Sequence, residues 1–195
     1  MVVELLRQKT TQTHCPHIAL DSPRHKKFMD TDVTKQIESH FDQLPTETKK
    51  AFVFLSKQTW LANTNWYLAG GTALTLQHGI RKSVDLDFFS TDKHFDTTTF
   101  LQQFDEVSDW KTTTQKENTI YGELFGAKVS FIAYPFFIPE QPLLKYGTIH
   151  ILSTTDIAVM KVIAVSQRGR KRDFFDLYWC AQHLEPLEHI LRKLK

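Results

Sequence analysis

The segment WYLAGGTALTLQHGIRKSVDLDFFS, Trp66 to Ser90, leaves a folding chain few choices. It opens on a short apolar run, WYLAG, that reads as a strand and breaks at Gly70-Gly71. It resumes as a helical run from Thr72 and stops at Gly79. A second strand, VDLDFFS, follows. Alternate residues of a strand share a face, so Asp85 and Asp87 project together while Val84, Leu86 and Phe88 turn to the core. Their Cα atoms stand about 6 to 7 Å apart. Two unneutralised carboxylates in an apolar strand repel each other, so the pattern requires something positive against them.

A hard cation, Mg²⁺ or Mn²⁺, meets that requirement. Carboxylates at this spacing converge on such an ion and leave coordination places for phosphate oxygens and water. The Gly70-Gly71-Thr72 turn supplies the complement. Glycine lets a ligand approach the backbone closely, and a helix starting at Thr72 aims free N–H groups at an anion. A lone Gly-Gly is usually only a turn, and a lone Asp-x-Asp a solvated strand end. In this order, with FFS after the second, they read as a nucleotide site for phosphoryl chemistry.

At 195 residues, with 41% hydrophobic and 24% charged residues, the chain suits one globular domain with an extension. A net charge of +2 does not announce a nucleic-acid partner, though a local basic patch stays open. Cys15 and Cys180 are no disulfide framework, MVVELLRQKTTQTHCPH lacks a signal peptide's apolar core, and no apolar run approaches a membrane span. A cytoplasmic location without membrane contact is expected.

Residues 1–45 read as an N-terminal extension or helical arm, with a basic knot at Arg24–Lys27 and a helix over DVTKQIESHF from Asp32. Residues 46–150 form the core. A helix is expected from Thr46 to Ala62, with Phe52, Leu55, Thr59 and Ala62 on one face. After the Gly-Gly and Asp-x-Asp segment come a helix over DTTTFLQQFD and an antiparallel meander of WKTTTQKE, TIYGELFG and AKVSFIAYPF. Residues 151–195 are a helical C-terminal part: STTDIAVMKVIAVSQRG stops at Gly169, and KRDFFDLYWCAQHL sets Phe174, Leu177, Tyr178, Ala181 and Leu184 on one stripe. The fold class is α+β, a mixed and mostly antiparallel sheet with flanking helices.

The C-terminal helices carry chemistry too. Lys161 interrupts the apolar run IAVMKVIAV, where a buried ammonium is costly, so it must reach solvent or an anion. Arg168, seven residues on, shares nearly the same face, so both could point at a triphosphate. A snorkelling lysine is the plainer alternative. Asp173 and Asp176 share a face of the next helix, where Arg172 can pair with Asp176 and the aspartates can orient the basic residues.

GGTALTLQHGIRKSVDLDFF resembles the first motif of the nucleotidyltransferase superfamily. More narrowly, Gly70, Gly71, Thr72, Leu74, Arg81, Ser83, Asp85, Asp87 and Phe88 match the AbiEii-like abortive-infection toxin family. Lys161, Arg168, Arg172, Asp173 and Asp176 match that family's second signature, and the likeness covers roughly residues 50–185. It implies a minimal nucleotidyltransferase fold. It implies transfer of a nucleotide from an NTP with Mg²⁺ (or Mn²⁺), tRNA as an acceptor class of some relatives, and a type IV toxin with a separate antitoxin. On that reading Asp85 and Asp87 are catalytic and hold the metal. Lys161 is catalytic and, with Gly70, Gly71, Thr72, Arg81, Ser83 and Arg168, binds the nucleotide; Arg172, Asp173 and Asp176 support them.

One position departs from the pattern. Where such enzymes commonly place a third carboxylate, AKVSFIAYPF offers Ser130, a poor metal ligand and no base at neutral pH; Glu123 on the preceding strand is the nearest substitute. Ser130 therefore also supports a catalytically silent nucleotide- or RNA-binding module. A metal-dependent glycosyltransferase, which also uses Asp-x-Asp, generally wants a longer chain and does not need the Gly-Gly-Thr helix start. His14–His17, HCPH, lacks a second ligand pair at zinc spacing. Trp66 and Phe88 are better suited to packing than to stacking on a base. A basic surface of Arg24, Lys26, Lys27 and the RGRKR loop is the candidate seat for an RNA.

Overall fold

The computed structural model describes residues 32–194. The knot at Arg24–Lys27, HCPH and Cys15 lie outside the described residues. A seven-stranded sheet, in the order β3-β4-β5-β2-β1-β7-β6, organises the rest. The strands are β1 (Trp66–Ala69), β2 (Leu86–Ser90), β3 (Trp110–Lys116), β4 (Thr119–Leu124), β5 (Ala127–Ala133), β6 (Leu144–Tyr146) and β7 (Ile149–Ile151). Only β2–β5 and β1–β7 pair in parallel; the other four pairings are antiparallel.

The central strand β1 is apolar and buried at all four positions, as a strand covered on both faces must be. Threonine-rich β3 forms one edge, where polar side chains discourage pairing with another chain. The β4–β5 turn places Phe125 and Gly126 at φ +53° and +86°, the mirror-image turn whose twist matches a hairpin. Phe125 is held there by the edge of Phe54 and by Lys50 over its ring.

The helices are α1 (32–39), α2 (Thr46–Leu55), α3 (Gly70–His78), α4 (Thr97–Leu101), α5 (Thr154–Arg168), α6 (Lys171–His183) and α7 (Leu187–Arg192). Leu86 and Phe88 of β2 point to one side of the sheet, and Phe88 stacks on Phe131 at 5.0 Å. Trp60, Trp66, Phe95, Phe100 and Phe104 extend this aromatic cluster. Burial of each such ring contributes about 1.5–3 kcal/mol. Asp85 and Asp87 take the opposite side, beneath α5 and α6. Trp66 and Phe88 are thus core residues.

Several expectations about extent are corrected. The helix from Thr46 ends at Leu55, and a short 3₁₀ turn, Thr59–Leu61, follows. Gln58 is extended and its side chain caps the Phe54 carbonyl, so Leu61 enters the core instead of Thr59 and Ala62. Helix α3 begins at Gly70 rather than Thr72, and Asp85 immediately precedes β2. Val84 is 44% exposed, because the chain joins the strand register only at Leu86. The β6–β7 hairpin was not foreseen; its strands of three residues are too short to show a period.

The stripe on α6 also faces the other way. Phe174 and Tyr178 are 53% and 65% exposed, whereas Asp173, Asp176 and Cys180 are buried. The buried side of this helix thus combines the ion pairs of Asp173 and Asp176 with Cys180, Leu177 and Trp179.

Candidate active site

A cleft of about 670 Å³ runs between the sheet face of β2, β5 and β4 and the helices α5 and α6. The strand register lays its floor out in rows. Ala69 of β1, Asp87 of β2, Ser130 of β5 and Tyr121 of β4 stand side by side, about 4.8 Å apart. Lys128 and Glu123 pair in the row nearer Asp85, while Phe89 and Ile132 pair in the row beyond. The floor thus grades from charged through polar to apolar.

Helix α3 starts where β1 ends. Ala69 provides no side-chain cap, so the first-turn N–H groups at Gly70 and Gly71 have no partner of that kind. Gly70 sits at φ +71°, and a Cβ there would stand 3.3 Å from Asp87 Oδ2. A side chain is therefore excluded twice, by conformation and by the carboxylate.

The side chains of Thr72 and Ser83 are buried and spent on the turn. Thr72 Oγ1 lies 2.8 Å from Ser83 Oγ and also bonds the Asp85 carbonyl. Arg81 fills the space beside Gly71 and is gripped by Asp176 through two bonds, of 2.6 and 2.8 Å. A Cβ on residue 71 would displace this guanidinium and also meet Ser83 Oγ at 3.2 Å. Gly71→Ala is expected to lower unfolding free energy by about 1–3 kcal/mol, read from the urea midpoint. Unchanged stability would show that Arg81 leaves that space freely.

Lys161 is 5% exposed and donates to Asp173 Oδ1 at 2.9 Å, with Asp176 Oδ2 at 2.7 Å. Arg168 holds Asp173 in a fork of 2.9 and 3.1 Å while its own side chain stays 51% exposed. Burial would raise the Asp173 pKa, but Arg168 and Lys161 outweigh it and hold the carboxyl below its ordinary range. Three cations, Arg81, Lys161 and Arg168, thus surround two carboxylates, Asp173 and Asp176. The surplus positive charge faces the cleft.

The expected pairing of Arg172 with Asp176 is corrected: Asp176 is fully buried against Arg81 and Lys161. Arg172 instead points across the cleft, with Nη1 3.6 Å from Asp85 Oδ2.

Asp87 is half-buried. Desolvation raises its pKa, and Asp85 adds to the rise against the opposing bond from Ser130 and the charges of Arg168 and Lys161. Ser130 Oγ donates to Asp87 Oδ1 at 2.7 Å, which leaves Oδ2 toward the Gly70 side. Two carboxylates, all-oxygen donors and a half-buried charge short of a cation fit Mg²⁺ or Mn²⁺, which commonly takes one or two carboxylates and completes its shell with phosphates and water. Among the described residues no cluster of three or more His, Cys, Asp or Glu would hold a metal by itself. Glu123 stands two strands across and two residues along from Asp87, about 12 Å between Cα atoms, too far to share an ion with it.

Two features of this site escaped the sequence reading: Arg81 as the partner of Asp176, and Tyr121 in the same row as Asp87. The alternation of TIYGEL and its place in the meander were visible, but its register against Asp87 was not.

A family model described as nucleotidyl transferase AbiEii toxin, type IV TA system, matches residues 54–117 and 118–194. An uncharacterized protein of Aquifex aeolicus (strain VF5) is 38% identical over 135 residues, which span 66% of this chain and 66% of that relative, just under two thirds of its length. JHP933 from Helicobacter pylori superposes with a TM-score of 0.49 at 21% identity, over 72% of this chain and 68% of that one. The Megavirus polyadenylate synthase superposes with a TM-score of 0.46 at 13% identity, over 90% of this chain and 40% of that one.

Proposed function

The chain belongs to the AbiEii nucleotidyltransferase toxin family, and from that premise we propose that it transfers an NMP from an NTP to an acceptor hydroxyl of RNA, tRNA in particular. The observation that supports this most is the open first turn of α3 beside Asp87: a place for phosphates adjoining a place for a divalent cation.

Each residue then has a task. The backbone at Gly70 and Gly71 receives the phosphates. Asp85 and Asp87 would hold Mg²⁺ (or Mn²⁺), which when bound would supply Lewis-acid charge at the phosphate oxygens. Ser130 fixes Asp87 through Oδ1 and leaves Oδ2 available. Arg168, half exposed, neutralises charge that grows on the leaving pyrophosphate. Lys161 acts from behind as a fixed positive charge, set in place by Asp173 and Asp176. Thr72, Ser83 and Arg81 brace the turn around the nucleotide, and Arg172 steadies Asp85. The acceptor oxygen bonds the α-phosphorus, the bond to the bridging oxygen of pyrophosphate breaks, and the acceptor hydroxyl's proton passes to water.

The toxin role brings with it a cognate antitoxin and a site of action in the cytoplasm. No helix among the described residues is long and apolar enough to cross a membrane.

Ser130 also favours a second reading, a module that binds nucleotide or RNA without turnover. A transfer assay separates the two. Protein, Mg²⁺ and each α-labelled NTP are incubated with total tRNA and, separately, with protein extract, beside the Asp85→Ala/Asp87→Ala variant. Label on tRNA that disappears in the variant is expected. NTP bound with no labelled product would establish the silent module instead.

A further inference from the structure

We infer that Tyr121 is the platform on which the acceptor lies, its ring stacking against a base of a single-stranded nucleic acid. This rests on the nucleotidyltransferase reading and extends it from the donor to the acceptor.

In-line displacement sets the direction. The attacking oxygen must approach the phosphorus from the side opposite the leaving pyrophosphate. If the phosphates sit on the first turn of α3, at the β1 end of the row, pyrophosphate departs toward Gly70 and Gly71. The acceptor then arrives from the other end, over Ser130 of β5 and Tyr121 of β4. The order β1-β2-β5-β4 therefore reproduces leaving group, metal carboxylates, attacking oxygen and acceptor.

What stands at the far end is an aromatic ring with little to do in packing. Tyr121 is 44% exposed, although it lines the cleft and faces Ser130 directly. Its backbone is pinned: β3 carries a bulge between Thr112 and Thr114, and Thr113 Oγ1 donates to the Tyr121 carbonyl at 3.0 Å. The bulge brings Thr113 onto that carbonyl, so the strand beneath the ring is held while the ring stands exposed in the cleft.

The charges around it select the partner. Lys128 and Arg170 line the same cleft without an ion pair among the described residues, although Glu123 stands opposite Lys128; Arg168 and Arg172 are engaged by Asp173 and Asp85. A bare aromatic face with cations along its border is how proteins hold unpaired nucleotides, the ring taking a base and the cations the phosphates. A peptide acceptor would leave those cations without their complement.

The test uses full-length protein carrying Asp85→Ala and Asp87→Ala, so that binding is read without turnover. A fluorescein-labelled single-stranded RNA of about ten nucleotides is titrated by anisotropy, a length within the usual site size. Adding Tyr121→Ala is expected to weaken RNA binding about 5- to 100-fold, while Tyr121→Trp preserves it. With the carboxylates intact, Tyr121→Ala should raise the acceptor KM in the transfer assay and leave the NTP KM unchanged. Equal RNA affinity with and without the ring, or no RNA binding by the parent, overturns the inference. A loss confined to the NTP overturns it too, and seats Tyr121 beneath the nucleotide's own base. The RNA titration needs no catalysis, so failure of the platform and failure of the enzyme reading give different results.

Discussion

Asp87→Asn is expected to abolish transfer and, at the same time, to stabilise the ligand-free protein. Charge supplied through a metal is worth several kcal/mol at a phosphoryl transition state, so the rate should fall about a thousandfold or more. Stability should move the other way, because Asp87 is half-buried beside Asp85 and its pKa is raised, by desolvation first. The sign follows from proton counting. Between the ordinary carboxylate value of 3.8 and the raised value in the fold, the native state binds more protons than the unfolded one. Stability of the ligand-free protein therefore declines as pH rises through that window, and it is flat above it. Asparagine still accepts the Ser130 hydroxyl but carries no charge, so the decline should vanish. Mg²⁺ should restore stability above the window in the parent and not in the variant. Thermal unfolding from pH 4 to 8, with and without Mg²⁺, gives all of this, and a variant with the parent's pH slope would show that Asp87 is not the strained group.

The parts of this site that could be read from the sequence are those encoded by neighbours. Strand, Gly70-Gly71, helix and second strand lie within twenty-five residues, and each boundary has a local cause. Gly79, at φ +62°, ends α3 in the left-handed cap that glycine adopts most easily. Ser153 caps α5, bonding the amide of Asp156, and Gly169 closes it. The meander was legible for the same reason, since β4 alternates and the turns carry Asn118 and Gly126 at positive φ.

What remained hidden depends on residues far apart. Arg81 and Asp176 are separated by 95 positions, and no period or spacing joins them. The apolar stripe on α6 was correctly located along the helix but misleads about what that helix buries. Periodicity weighs apolar area, whereas Asp173 and Asp176 carry partners that would otherwise be buried unpaired. Tyr121 belongs to the same class. Its alternation shows only that it shares a face with Glu123, and the pairing of β5 with β2 turns that face toward Asp87.

Asp176→Ala is the substitution expected to damage the fold most. Asp176 is fully buried and is the only carboxylate that touches both Arg81 and Lys161 among the described residues. Its removal leaves Lys161, itself 5% exposed, on Asp173 alone and releases the guanidinium that packs beside Gly71. Breaking a buried pair by removing one partner costs about 3–5 kcal/mol, a large share of the roughly 5–15 kcal/mol that holds a domain together. The penalty comes from the charges left behind, not from the contact itself. Removing those charges too should therefore recover part of the loss. The triple variant Arg81→Met/Lys161→Met/Asp176→Leu is expected to be more stable than Asp176→Ala alone, although it lacks every ion pair to that residue. Transfer should stay lost in both, because the positive charge facing Asp87 is diminished. Urea midpoints for the three proteins decide the matter: a triple variant weaker than the single one would mean that the ion pairs themselves, rather than the avoidance of bare charge, hold α6 to the Gly-Gly turn.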